Sequence, residues 1–558
     1  MNAKRILSLT GAFLFCFATL FAGSNEKGIE YYRAKLYNAA KIFFLQQKNQ
    51  SVTEQVENYY YLGQTYYELN QADSAQYYYQ KAVATDSEYP FGYIGEGKLE
   101  LKKGNDKGAE DLFKRANNYA KKDPSVQTTI AEVYVDAGKF DKAEEALGKA
   151  RKVNKNYSGI YVAEGDMLMK EGKVGDASGR YENAILFDKS DKVAYLKLAE
   201  VYESINPDLA LDYLNQLIAI DPSYIPAYAI IGDINREQGM YKDALDAYEK
   251  FISIPGVPLL QHERYAQLLY FTDQYDKSLQ QINYVLSQDP NNSVMHRLLA
   301  YNNYKLDNTE LGLQQMNDFL KNAPADKHIY LDYMTLGRLY LKEKQPEQAI
   351  AAFVKASELD GTKSEVFKEL TTAYEQAGNY PEAIKYYEKY FEVEPNASNL
   401  DYFYYGQANY LASTKYLEPA NPSITPEQKA QDDADLKSYI SKGDAAFAEV
   451  ISRSPDSYLG YLWRGNLNSI LDAKEYESTE KMSGAAKPYY EQALGIMLEK
   501  NENGARNRDI ISVYDYLSNY YFIGGDNSLV GEYNKKILEI DPENGKAKQT
   551  LDALKIKY

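Results

Sequence analysis

Residues 59–82 read YYYLGQTYYELNQADSAQYYYQKA, and the positions of their small residues decide the fold. Gly63, Ala75 and Ala82 stand among large aromatic neighbours, and the first of them returns after 34 residues as Gly97, then as Ala131 and Gly165. The series continues through Ala199, Gly232, Ala266, Ala300, Gly337, Thr371 and Gly406 at nearly the same step, and reaches Gly465 and Ser518 after longer gaps. Twelve residues behind most of these lies a second small residue, as at Ala75, Ala109, Ala143, Ala177, Ala349 and Ala383. Helices approach within about 8–10 Å only where the side chains at their crossing are small, so two such positions per unit imply two closely packed helices. Gly and Pro fall between them, in Gly138-Lys139-Phe140-Asp141, Gly378-Asn379-Tyr380-Pro381, Asp221-Pro222 and Asp289-Pro290. Each unit therefore reads helix, turn, helix, turn. A single unit cannot bury its own apolar face, so the expected fold is an all-α solenoid, a superhelix of about 13 to 14 stacked helix-turn-helix units.

These spacings resemble the tetratricopeptide repeat, whose pattern joins Leu-Gly, a Tyr three residues on, then Ala, Phe or Tyr, and Ala. Tyr59, Leu62, Gly63, Tyr66, Ala75, Tyr79 and Ala82 match it, as do Leu336, Gly337, Tyr340, Ala349, Phe353 and Ala356. Departures from the pattern are informative. The third small position is Ala82, Ala116, Ala150 and Ala184 in four successive units but Leu217, Phe251, Val285 and Phe319 in the next four, which predicts looser packing or altered crossing angles there. Residues 28–52 look like a degenerate first unit, and residues 545–558, with Ala547, Leu551, Leu554 and Ile556 at helical spacing, like a capping helix.

Register breaks suggest the domain plan. The expected organisation is an N-terminal array over residues 25–398 and a C-terminal array over 399–558, divided near Asn399. The second array carries insertions at 407–442, with Glu418, Pro419, Pro422 and Pro426, and at 472–485. Both insertions read as surface loops, since long insertions add little closure entropy.

Met1 to Arg5 and the apolar run from Ile6 to Ala22, ending in small residues at Ala22 and Ser24, form a signal-peptide pattern over residues 1–24; an uncleaved anchor is the alternative. Cys16 lies within it behind Phe13, Leu14 and Phe15, unlike the small residues of a lipoprotein signal, so the expected mature chain has no thiol, no disulfide and no thiolate metal site. Export places it in the periplasm or outside the cell. No later stretch reads as an integral membrane span. A net charge of -17 disfavours a nucleic-acid partner, which would need a basic surface.

Catalytic constellations are missing. Gly92 to Lys98 fits a phosphate-loop spacing, but Leu99 replaces the hydroxyl that would hold magnesium, and Gly97 is already the in-phase repeat glycine. His262 and His296 occupy the same repeat position without further ligands, and His262-Glu263 lacks the second histidine of a zinc-protease helix. The expectation is a non-enzyme without metal or cofactor.

The family resemblance implies that the first helix of each unit lines a concave groove. Carried onto this sequence, the inward positions give the candidate partner-binding residues Tyr60, Tyr67, Tyr270, Phe271, Tyr301, Tyr304, Phe403 and Tyr410, and the group Tyr270, Phe271, Tyr301 and Tyr304 spans two adjacent units. Tyrosine offers large, rigid contact area with a hydrogen-bonding tip. The chain holds 56 of them, so plain packing between helices suits the same residues. A clamp for C-terminal carboxylates, as in chaperone-binding members, is not reproduced: its positions read Tyr60 and Gln64, Ile94 and Lys98, Thr128 and Glu132. The expected function is a non-catalytic scaffold in the cell envelope that binds protein partners along its groove, with a glycan- or peptide-binding module as the alternative.

Overall fold

The computed structural model describes residues 25–48, 50–417 and 424–557; the predicted signal peptide and the loop residues Glu418, Pro419 and Pro422 lie outside them. The described residues form α-helices joined by short turns, with no strand. They divide into two compact units, one ending at Leu298 and the other beginning at Leu299. Asn399, where the register break suggested a division, is the first residue of a helix.

The first unit contains the pairs α1 (Glu26–Arg33) and α2 (Tyr37–Gln46), α3 (Val52–Glu68) and α4 (Ala72–Thr85), α5 (Pro90–Lys102) and α6 (Asp106–Tyr119), and α7 (Pro124–Asp136) and α8 (Phe140–Val153). It continues with α9 (Ser158–Lys170) and α10 (Val174–Phe187), α11 (Lys192–Tyr202) and α12 (Pro207–Ile220), α13 (Ile225–Glu237) and α14 (Tyr241–Tyr248), and α15 (Leu259–Phe271) and α16 (Tyr275–Gln288). After α17 (Ser293–Lys305), the second unit runs through α18 (Thr309–Asn322), α19 (Tyr330–Lys342), α20 (Pro346–Leu359), α21 (Ser364–Gln376), α22 (Tyr380–Val393) and α23 (Asn399–Thr414). It ends with α24 (Pro426–Arg453), α25 (Tyr458–Thr479), α26 (Lys487–Glu499), α27 (Asn507–Ile523), α28 (Asn527–Ile540) and α29 (Gly545–Ala553).

One packing device recurs in both units. A Cβ placed on Gly63 would meet the ring of Tyr79 at 2.4 Å, and Gly97 stands in the same relation to Phe113, Gly165 to Tyr181, Gly337 to Phe353, Gly406 to Phe447 and Gly465 to Tyr490. The small residue of the first helix exists so that an aromatic ring of the second can lie flat against backbone. Tyr79, Phe353 and Phe447 are fully buried as a result. Between the helices the chain turns through the left-handed region, as at Gly138 with φ +69°, where glycine carries no Cβ penalty.

The first helices of the first unit also pack on one another in series: α1 on α3, α3 on α5, α5 on α7, α7 on α9, α9 on α11 and α11 on α13. The inner side of a coil is where neighbours stand closest, so this series is its inner face. α13 then packs back on α1, and the seven helices close a ring. The seat for this closure is where the repeat pattern departs. Phe251 follows α14, which stops at Tyr248, and the turns of residues 249–257 bury Phe251, Ile252 and Val257 against Leu36 and Ala39. Gly256, at φ +89°, passes so close that a Cβ there would lie 2.9 Å from the backbone nitrogen of Ala39. Polar contacts frame the joint: Lys27 Nζ donates to the Ser223 carbonyl at 3.4 Å, Lys35 bridges to Glu200 at 2.9 Å, and Lys192 reaches both Asp221 and Glu26. Leu217, Val285 and Phe319 are likewise buried, so larger residues at the third position are absorbed by local packing.

The insertions differ from the loop reading. Ala75 stands three residues into α4, whereas Gly443, the small residue in the corresponding helix after Gly406, stands well inside α24, which begins at Pro426. Thr425 caps it by accepting the Gln428 N–H, and proline at the first helical position lacks only an N–H that has no partner there. Most of the described part of the first insertion is therefore helix. The second lengthens α25 to Thr479, after which residues 480–486 form a strap pinned by Asp472. The terminal helix, which ends at Ala553, buries Ala547 and Leu551.

Candidate binding surfaces on the first helices

Tyr60 on α3 is buried among Tyr61, Tyr79, Tyr89 and Phe91, and its hydroxyl accepts from the Gln64 amide at 2.8 Å. It packs the helices together. Two turns on, Tyr67 keeps some exposure, with the ammonium groups of Lys98 and Lys102 at 4.4 and 4.5 Å above its ring. The segment Gly92 to Lys98 is helix, as the repeat register requires, and Lys98 is a buried cation held between Glu68 and Asp136.

In the first unit Phe271 is 50% exposed and stacks on Tyr241 at 4.5 Å, while Tyr270 meets it edge-on. In the second unit Tyr301 is buried and its hydroxyl donates to Asp332 at 2.6 Å; Tyr304 is partly exposed beneath Lys342, 4.9 Å from its ring. Tyr301 is thus a packing residue.

The structure does join Phe403 and Tyr410 of α23, through a residue the sequence reading passed over. Trp463 on α25 meets Phe403 edge-on at 5.9 Å and Tyr410 at 5.4 Å, and lies parallel to Phe447 at 6.2 Å. Each such pair contributes about 0.5–1.5 kcal/mol beyond burial. Phe403, Tyr410 and Trp463 all retain partial exposure, and α23 packs on α25 as first helices do on the inner face. Trp463 stands two residues before Gly465, outside the inward positions that the family pattern supplied; its being the chain's one tryptophan was the available signal.

A second inner surface lies within the ring. A cavity of about 380 Å³ is lined by Glu132 and Asp136 of α7, Asp166 and Lys170 of α9, and Lys197 and Glu200 of α11. Asp166 pairs with Lys197 at 3.0 Å and accepts the Tyr181 hydroxyl, Asp136 pairs with Lys98 at 3.3 Å, and Glu200 pairs with Lys35. Burial inside the ring pushes the Glu132 carboxyl up to about 7; Asp166 and Asp136 reinforce the rise, and Lys197 and Lys98 oppose it. His262 hydrogen-bonds Gln281 and His296 faces the Pro290 carbonyl, so neither forms part of a metal-ligand group among the described residues. No helix among those residues is long and apolar enough to cross a membrane.

Four family models, each described as tetratricopeptide repeat, match residues 57–88, 128–195, 193–224, 225–256, 333–363 and 366–390. A TPR repeat-containing protein of Methanocaldococcus jannaschii is 25% identical over 285 residues, 51% of this chain and 42% of that protein, so the match spans under half of the relative. The human DnaJ homolog subfamily C member 3 is 20% identical over 414 residues, 68% of this chain and 76% of the relative. Among solved structures, the C-terminal part of a TPR repeat-containing protein from Cytophaga hutchinsonii is similar at 24% identity and a TM-score of 0.39, covering 52% of this chain and 99% of that one. A tetratricopeptide repeat protein from Parabacteroides merdae aligns at 19% identity and a TM-score of 0.28, covering 45% and 98%. With the repeat register, the helix pairs and the family models in agreement, the chain belongs to the tetratricopeptide repeat family.

Proposed function

We propose that the chain is a non-catalytic scaffold, exported to the cell envelope or beyond, that binds partner polypeptides along the first helices of its pairs. The observation that carries the binding reading is the convergence of Phe403, Tyr410 and Trp463 on one partly exposed inner face. Rigid aromatic surface of this kind gives large contact area at low entropy cost. Tyr67 and Phe271 are further contact points on the first unit. The non-catalytic reading rests on the residues, since neither inner surface sets a nucleophile beside a base among the described residues. Export rests on the pattern of residues 1–24 alone.

Trp463 makes the test direct, because no other tryptophan contributes to the fluorescence of the chain. A photo-crosslinking residue at Tyr410, introduced into the full chain in envelope fractions, should capture a reproducible protein partner. Phe403→Ala should reduce that capture while leaving helicity intact, and the captured partner should shift the Trp463 emission. Retention on envelope polysaccharide with no crosslinked protein would replace the scaffold with the glycan-binding reading.

A further inference from the structure

We propose that the cavity inside the ring is a receptor for a cationic side chain, the ammonium or guanidinium of a lysine or arginine presented by a partner polypeptide, with Glu132 as its counter-ion. The inference rests on the reading that the first helices carry partner contacts, and it adds a chemical class and a second site to it.

Three independent features agree. First, of the four acids that line the cavity, Asp136, Asp166 and Glu200 each hold a lysine, whereas Glu132 has no hydrogen bond or ion pair from any described residue; Lys170, the other cation of the lining besides Lys197, is exposed and pairs with none of them. Secondly, Glu132 is half-buried and lines the cavity, and its partial burial disfavours the charged carboxylate. An unpaired, partly desolvated carboxylate is costly, and a cation is what offsets that cost. Thirdly, the cavity lies where helices finish. Asp136 and Lys170 are the last residues of α7 and α9, and Val201 is next to last in α11, so three helix C-termini turn their negative dipole ends toward it. Met169, partly exposed, supplies apolar lining beside these charges.

The groups facing Glu132 are Asp166 from α9, Lys197 from α11, Lys98 from α5, Asp136 on its own helix, Tyr60 and Tyr61 from α3, and Tyr157 at the start of α9. Lysines 98 and 197 are already bound to other acids, so they temper the site without neutralising it.

The test uses the full chain and a fluorescent peptide with one lysine between glycine and serine residues, beside its N-acetyl-lysine counterpart and free spermidine. Glu132 ionises near neutrality, so peptide binding should tighten about tenfold from pH 6 to pH 8. Glu132→Gln should weaken binding at least tenfold at pH 8 and remove the pH dependence, and the acetylated peptide should not bind. Met169→Trp, which puts a larger side chain into the cavity lining and leaves Glu132 in place, should also weaken binding. Glu182→Gln, an exposed acid on α10, controls for net charge and should change nothing. Binding that ignores Glu132→Gln, or falls equally with Glu182→Gln, overturns the proposal. Capture of spermidine with none of the peptide overturns the assignment to a partner side chain. Either failure leaves the Trp463 surface, and the scaffold reading tested there, untouched.

Discussion

Where the ring of the first unit closes, the contacts are apolar and framed by three lysines: Leu36 and Ala39 sit against Phe251 and Val257 while Lys27, Lys35 and Lys192 reach across. Where the second unit must hold irregular joints, it uses buried aspartates instead. Asp332, Asp401 and Asp472 are each nearly inaccessible, and each receives a tyrosine hydroxyl, from Tyr301, Tyr390 and Tyr516 respectively. Asp332 and Asp401 also cap α19 and α23 through the backbone N–H groups of Ile329 and Ser398. Repeats of even length can be closed by shape alone, because every pair presents the same surface to the next. Long helices and a strap break that regularity, and directional hydrogen bonds then restore a single arrangement. The comparison also explains the tyrosine content. The ring packs between helices as phenylalanine would, and the hydroxyl supplies a donor that phenylalanine lacks.

The largest expected effect falls on what the units share. Tyr79→Ala in the first unit and Phe447→Ala in the second remove fully buried rings seated on glycine, and each should cost about 3–5 kcal/mol in chemical denaturation. If either loss were under about 1 kcal/mol, the small-residue and aromatic lock would not be the common device. Next comes Asp472→Ala, which strands the N–H groups of Ala485 and Ala486 and the Tyr516 hydroxyl. A loss of about 3 kcal/mol is expected, with faster amide exchange confined to the strap and its neighbours.

Acid should separate the units further. Burial alone would raise the Asp401 carboxyl, but Lys368, Ser398 and Tyr390 hold it at about 2, below its ordinary range. A group depressed in the folded state stabilises above its unfolded pKa, and that stability is lost as pH falls through the folded value. Asp401 should therefore contribute about 2 kcal/mol that disappears between roughly pH 4 and pH 2, and Asp401→Asn should flatten that part of the profile. Smallest is Gly256→Ala, which forces a side chain into the left-handed region beside the Ala39 nitrogen. About 1–2 kcal/mol is expected, read as faster exchange in α1 and α2 with α23 and α24 unaffected.

The helix pairs and their packing could be read from the sequence because they repeat: Gly63 predicts Gly97, and the ring of Tyr79 predicts that of Tyr181. Nothing at Phe251 repeats, so the sequence marked only a departure, and its meaning depends on Leu36 and Ala39, more than two hundred residues earlier. Glu132 was noted merely as a mismatch to a carboxylate clamp; its environment is assembled from α5, α7, α9 and α11. Trp463 escaped for a different reason, since its position is one that a regular array turns away from the groove. The first insertion was misjudged because Pro426 and the acidic residues around Asp432 and Asp433 signal a turn as readily as the first turn of a helix.

The joint of α1 with α13 alters how the first unit can come apart. An open array is a line of nearest neighbours and frays from its ends, where each terminal pair is held on one side only. Closed on itself, the ring from α1 to α13 has no free end on its inner face: releasing α1 and α2 breaks contacts with both α3 and α13. Unfolding then becomes more cooperative than in a line of equal length. Folding acquires a late step in which segments some two hundred residues apart must meet, a long loop to close before its contacts repay the entropy.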